Sequence, residues 1–206
     1  MADADSTPSP GSLQLAHQRA TIEETRLHSI ITHEEAVLIN GVTGDVIWRK
    51  RGQASSIEFN DDEIAQMRGH VLTHNHPRGW RYSADDPRRS GSSFSSTDVA
   101  MVVAGQLAEM RAVSPRYLYR IQPPAHTDGS FQAQYFRNYI ASMSYPEVHF
   151  QVLLYADVVR DRLRNRVSSP EDPLTQAESE SILWHEVVTM VVASWGVNYE
   201  RKEWIS

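Results

Sequence analysis

A chain of 206 residues has room for one ordinary domain plus an extension, and an apolar share of 40% with five Trp, eight Tyr and five Phe is enough to bury a conventional core. Lys plus Arg number 20 against 26 Asp plus Glu, and the resulting formal charge of -6 repels a phosphate backbone at long range, which argues against nucleic acid as a partner. With no cysteine, disulfide staples, thiolate catalysis and Cys-type zinc ribbons are excluded, so any metal must be held by His, Asp or Glu.

No run approaches the roughly 18 apolar residues that would span a bilayer. The start, Met1 to Ser12, is small and acidic rather than basic then apolar, so a soluble, cytoplasmic protein is expected with neither membrane anchor nor secretion signal. Residues 1–12, rich in Pro, Ser, Gly and Asp, have almost nothing to bury and read as a disordered leader. Leu13 to His28 has mixed helical character. Val37, Leu38 and Ile39, then Asn40-Gly41 and Thr43-Gly44-Asp45, then Val46, Ile47 and Trp48 predict a β-hairpin. Asp61 to Met67 reads as a short helix that feeds a strand over Val71-Leu72, running into His74 and stopped by Pro77, which lacks a ladder donor.

The following stretch, residues 78–93, is rich in Gly, Pro, Ser, Arg and Asp and has no period, as expected of a loop insertion. Ser95 is a good N-cap for a helix carrying Val99, Val102, Val103, Leu107 and Met110 at helical spacing. Ala112 to Ile121 alternates as a single strand and ends at Pro123-Pro124, where a domain boundary is expected. Beyond it, Phe131–Met143, Val148–Arg166 and Leu174–Trp195 read as three helices, with Trp184, Trp195, Tyr135, Phe136 and Tyr139 as their core. The basic runs Arg49-Lys50-Arg51 and Arg160 to Arg166 read as charged faces.

Chemistry concentrates in Thr73-His74-Asn75-His76-Pro77. Two histidines two apart at a strand end point to one face, the geometry of a metal site on a rigid element. Asp98, in the first turn of the Ser95-capped helix, adds a carboxylate if that helix end abuts the strand. Three protein ligands leave a fourth position for water, as in catalytic rather than structural zinc sites. The letters His74-Asn75-His76 also spell HNH, but the nuclease motif of that name spreads its residues over a ββα element. His185-Glu186 lacks the second histidine of a zincin helix, since Thr189 occupies that position.

The THNHP strand, the later SFSSTD and an upstream glutamate together resemble the JAB/MPN (JAMM) zinc metalloprotease motif, most like the JAB-like domains of phage head-morphogenesis and related bacterial proteins. The resemblance spans Ile30 to Ile121. It implies an α+β, cytidine-deaminase-like fold: a mixed β-sheet flanked by helices over residues 13–123, with a helical extension over 124–206. It further implies Zn2+ bound by His74, His76 and Asp98, Ser95 helping to hold a tetrahedral intermediate, and a glutamate as general base. Glu34 and Glu35 lie on opposite strand faces, so only one faces the metal, and Glu34 is preferred. The 18 residues between His76 and Ser95 are a longer spacer than the family pattern. Lengthening a loop costs only about 0.6 kcal/mol per doubling, so the helix can still return to the metal, with the insertion as a lid or a substrate-binding loop.

On this resemblance the expected activity is zinc-dependent hydrolysis of a peptide or isopeptide bond in a protein substrate, such as one made by ubiquitin or a ubiquitin-like protein. A non-catalytic JAB-like scaffold, a phage-derived interaction module and a bacterial effector acting on a host protein are the alternatives. Trp80 and Tyr82 in the insertion are candidates for substrate contact or for simple loop packing.

Overall fold

Aliphatic residues on both sides of Asn40 pair as the sequence predicts. In the computed structural model, which describes residues 13–125, 128–171 and 173–204, β1 (Glu35–Ile39) and β2 (Val46–Arg51) form an antiparallel hairpin. The expected leader, residues 1–12, lies outside the described residues. The hairpin loop is held by the Asn40 carboxamide oxygen, which accepts the Val42 and Thr43 N–H groups. Gly44, not Gly41, takes the left-handed conformation (φ +74°), and there its lack of a Cβ lets the Leu15 backbone approach.

The sheet has six strands in the order β2-β1-β3-β4-β5-β6, with β3 (Val71–Asn75), β4 (Glu109–Val113), β5 (Tyr117–Gln122) and β6 (Asn198–Glu203). All neighbours are antiparallel except β3 and β4, which run parallel and are joined by helix α3 (Ser96–Ala104). The chain is therefore α+β, a mixed sheet flanked by helices. Every residue of β3 is buried, as expected of a strand covered on both faces.

One face is covered by α1 (Gln14–His28), which packs Ala16, Ala20 and Leu27 against Val37, Ile39, Val71 and Val113. Its apolar period is weak because two of its inward residues are Glu23 and Glu24, which meet Arg49 and Arg111 on the strands. The other face is covered by α3, α5 (Tyr145–Val167) and α6 (Gln176–Trp195) in one continuous core with Leu38, Leu72 and Met110. Short helices α2 (Asp61–Ala65) and α4 (Phe131–Asn138) complete the set. No helix among the described residues is long and apolar enough to cross a membrane.

Three local expectations are corrected. The helix that begins after Ser95 stops at Ala104, leaving Leu107 and Met110 outside it, because Leu107 and Gln106 fold their N–H groups back to the Val102 and Val103 carbonyls with Gln106 left-handed (φ 48°). This is a Schellman termination, favourable enough here to hold a non-glycine residue in a region that costs roughly 1–2 kcal/mol. The strand expected over Ala112–Ile121 is two strands. Ser114 turns the chain by accepting the Tyr117 N–H and donating to the Ser90 carbonyl. Finally, the residues after Trp195 end in a strand, β6, which joins the sheet edge beside β5. Its sequence, NYERKE, carries no apolar alternation, and its support is polar: Arg116 pairs with Glu203 at 2.9 Å and Arg201 lies over the Tyr117 ring at 4.8 Å.

Asn75 points away from the other core and clamps the approach to β1. Its oxygen accepts the Glu35 N–H at 2.6 Å, and its amide donates to the Ile30 and His33 carbonyls at 2.9 and 3.0 Å. Replacing it leaves three part-buried backbone groups without this partner, and such a loss costs up to about 1–3 kcal/mol per group. Asn75→Ala is therefore expected to destabilise the fold by about 2–4 kcal/mol, a drop of roughly 4–16 °C in melting temperature for a chain of this size. A thermal melt within 1–2 °C of the wild type, on the order of ordinary surface substitutions, would contradict this account.

Candidate metal centre

The pleat of β3 sets the site. Val71, Thr73 and Asn75 face α1, whereas Leu72 and His74 face α3, and the chain continues in register far enough for His76 to face the same way. His74 lies opposite Ala36 on β1 and beside Ala112 on β4, so small neighbours leave space above it. The backbone at His76 is still tied to the sheet, its N–H donating to the Val113 carbonyl at 2.8 Å before Pro77 opens a 3-10 turn.

Asp98 arrives from the N-terminus of α3. Ser95 caps that helix, and its N–H and Oγ both donate to Asp98 Oδ2 at 2.7 Å, while the Asp98 N–H returns to Ser95 Oγ at 3.3 Å. This fixes the carboxylate with its other oxygen, Oδ1, towards His74. His74 Nε2 lies 2.9 Å from His76 Nε2 and 3.3 Å from Asp98 Oδ1, and His76 Nε2 lies 3.7 Å from Asp98 Oδ2. With zinc–nitrogen and zinc–oxygen distances near 2 Å, ligand atoms on a tetrahedral centre sit about 3.3 Å apart, and one ligand atom from each of these three residues lies within 4.8 Å of the other two. His74 and His76 are buried and Asp98 half-buried, and the group can hold a metal ion.

The tautomer of His76 follows from its neighbours. Its Nδ1 lies 2.9 Å from the Ser92 carbonyl, which can only accept, so Nδ1 carries the proton and Nε2 presents a lone pair to the centre. His74 Nδ1 has no hydrogen-bond partner among the described residues, and that ring is held instead against Phe94, 6.2 Å between centroids. Burial works to raise the Asp98 pKa, but the flanking His74 and His76 and the Ser95 hydroxyl outweigh it and hold the carboxyl well below the usual carboxylate range. An ionised carboxylate is what a cation needs there.

Glu34 and Glu35 part company. Glu35 turns to the α1 side and pairs with Arg26 at 2.6 Å. Glu34 lines the same cavity as His74, His76, Ser95 and Asp98, a space of about 190 Å³ whose other walls include Ile57, Phe59, Met101, Arg78 and Trp184. Burial pushes the Glu34 carboxyl up to about 7, with the His76 ring opposing and the Asp98 charge adding to the shift.

The insertion is packed rather than loose. Arg89 donates to the Trp80 and Tyr82 carbonyls and lies over the Trp80 ring at 4.3 Å, and Arg88 lies over the Tyr82 ring at 4.4 Å while pairing with Asp86 and, at 3.3 Å, with Glu180 of α6. Trp80 also meets His28 edge-on. Trp80 and Tyr82 are thus engaged with the protein itself, and the insertion meets the centre through Arg78, which lines the cavity, and through its backbone: Gly91, left-handed at φ +79°, brings the chain so close to Ser114 that a Cβ would lie 2.7 Å from that side chain, and Ser92 follows with its carbonyl on His76.

Several cavity residues escape sequence reasoning. Trp184, read as core of the helical extension, reaches the cavity from α6. Ile57 and Phe59 lie in an irregular segment between β2 and α2 with no period to flag them. The basic runs are largely neutralised: Arg49 pairs with Glu23, Lys50 with Glu63, and Arg160, Arg162 and Arg164 with Asp157, Glu186 and Asp161. Comparison with protein-family models, curated proteins and solved structures finds no match for this chain.

The Glu34 shift has a consequence for the metal-free protein. A carboxyl whose folded-state pKa lies above its ordinary value of 4.5 binds its proton more tightly when folded, so its stabilising contribution is complete below about pH 4.5 and is lost as pH rises through about 7. Glu34→Gln does not titrate. Denaturant midpoints taken in chelator are expected to fall for the wild type relative to Glu34→Gln between those two pH values; parallel profiles would show that the shift is absent.

Proposed function

We propose that this chain is a zinc-dependent hydrolase of the JAB/MPN (JAMM) type, cleaving a peptide or isopeptide bond in a protein substrate, most characteristically one made by ubiquitin or a ubiquitin-like protein. The observation that carries the reading is the meeting of Glu34 with the His74, His76 and Asp98 donors in one cavity, the four coming from three separate stretches of the chain. Two imidazoles and one carboxylate suit zinc and leave a coordination position open, as a catalytic site requires. Further support is the THNHP and SFSSTD resemblance, whose expected mixed sheet with flanking helices matches the architecture at that coarse level.

Held by His74, His76 and Asp98, a zinc ion would supply the Lewis acidity that polarises a carbonyl and lowers the pKa of a water towards about 7. The chain's residues do the rest. Glu34, which lines the same cavity as the metal-binding groups, is placed to take a proton from the attacking water and return it to the leaving amine. The Ser92 carbonyl keeps the His76 ring in the metal-binding tautomer, and Ser95 holds Asp98 by two hydrogen bonds to one oxygen. Ser95 also lines the cavity, and the resemblance gives its hydroxyl a second role beside a tetrahedral intermediate.

Cavity size bears on the substrate. At about 190 Å³ it is smaller than the roughly 300–1,000 Å³ of sites that enclose a whole small ligand, and closer to the roughly 150 Å³ that admits a benzene ring. Only a narrow part of a substrate enters, and its bulk stays outside, as suits a protein chain.

Purified wild type is expected to hold one zinc per chain, with His74→Ala and Asp98→Ala losing it. Glu34→Gln is expected to keep the zinc while turnover of a ubiquitin-chain or peptide substrate falls by about 10²–10⁴. A correctly folded wild type without stoichiometric zinc overturns the reading, and retained turnover in Glu34→Gln removes Glu34 from it.

A further inference from the structure

We propose that Tyr199, from the C-terminal strand β6, is a positioning residue for the metal centre, fixing the orientation of His76 through Ser93 with His185 of α6 as its anchor. The inference rests on the proposed metal-binding reading and extends it to residues more than 100 positions from the histidines.

The Ser92 carbonyl that accepts the His76 Nδ1 proton belongs to the peptide unit joining Ser92 to Ser93. A peptide unit is planar, so whatever fixes Ser93 fixes the direction of that carbonyl. No strand or helix contains this segment. Its side chains hold it instead: Ser93 is buried with its Oγ 2.8 Å from the Tyr199 hydroxyl, and Phe94 is fully buried in the core. Tyr199 is held in turn by His185 Nδ1, also at 2.8 Å. When His185 accepts at Nδ1, the tyrosine donates to it and accepts from Ser93, so the hydroxyl is engaged on both sides.

The same ring acts on the second imidazole. Tyr199 meets Phe94 at 6.4 Å between centroids, edge to face, and Phe94 meets His74, whose Nδ1 has no hydrogen-bond partner among the described residues. His74 therefore depends on packing where His76 depends on a hydrogen bond, and both supports lead to Tyr199. Outer partners that orient metal-binding histidines typically change affinity by about 10–100-fold when the direct partner is lost. One step further out, a smaller effect is expected.

A double-mutant cycle on the full-length chain tests this. Tyr199→Phe keeps the ring and removes only the hydroxyl; Ser93→Ala removes the other end of the same contact. Each is expected to weaken zinc about 3–10-fold in chelator competition, and the double variant to weaken it no further than the worse single one, because both break one interaction. The visible spectrum of the cobalt-loaded protein is expected to change in Tyr199→Phe, reporting altered ligand geometry that a purely structural role would leave alone. Metal-free melts check that the variants fold, and His185→Gln supplies a second route to the same hydroxyl if Tyr199→Phe does not. Unchanged zinc affinity and cobalt spectrum in folded variants, or losses that simply add, overturn the proposal while leaving zinc binding by the wild type intact. A wild type that binds no zinc overturns both this proposal and the reading beneath it.

Discussion

The two-residue alternation of one strand, buried on both sides, is the constraint on which the rest depends. β3 lies inside the sheet between β1 and β4 with all five residues buried, so each side chain is committed to one core or the other. Leu72 and His74 are committed to the α3 side and Thr73 and Asn75 to the α1 side. A shift of one residue would exchange these sets and send polar donors into the wrong core, so the register is strongly specified. The parallel β3–β4 pair then requires a crossover, and the helix that makes it, α3, delivers its capped N-terminus beside the strand end.

The two faces of the sheet divide the charged groups between them. Under α1 lies a compact ion network in which Glu24 pairs with Arg111 at 2.7 Å and Glu109 approaches His17 at 3.1 Å and Arg120 at 3.5 Å. Glu35 joins this side through Arg26. Burial pushes Glu24 up to about 7, against the pull of Arg111, so even paired carboxyls are expensive to ionise there. On the other face, among the described residues, only Glu34 and Asp98 bring carboxylates to the cavity, and they differ sharply: Asp98, among imidazoles and hydrogen-bond donors, is held well below the usual carboxylate range, whereas burial pushes Glu34 up to about 7. Two carboxyls with environments that push their pKa values apart suit one for holding a cation and the other for moving a proton.

The C-terminal half is bound into this arrangement at three points. α5 and α6 share the core of α3, Trp184 forms part of the cavity wall, and β6 extends the sheet and places Tyr199 against Ser93 and Phe94. The insertion between His76 and Ser95 is gripped from the same side, since Arg88 pairs with Glu180 of α6. Length in that spacer is tolerated because both of its ends are fixed by the sheet and the helix cap, while its middle is knit by stacked arginines and aromatics.

What the sequence determined by itself is local. The alternation and Pro77 were enough to send His74 and His76 to one face, Ser95 and Asp98 were enough to mark a capped helix start, and the aliphatic runs around Asn40 were enough for the hairpin, because these depend on neighbours one to four residues away. Tertiary structure decided the remainder. The choice of Glu34 over Glu35 for the cavity required Arg26 from α1 to capture Glu35 and Asn75 to hold its backbone. The end of α3 at Ala104 came from a left-handed Gln106 that no apolar spacing reveals. β6 and the Tyr199–His185 contact were illegible because a polar edge strand is stabilised by partners 80 or so residues away in sequence, Tyr117 and Arg116 among them, rather than by any period of its own. Ligand donors announce themselves by type and spacing, but what orients them is set by whichever distant segments the fold brings alongside.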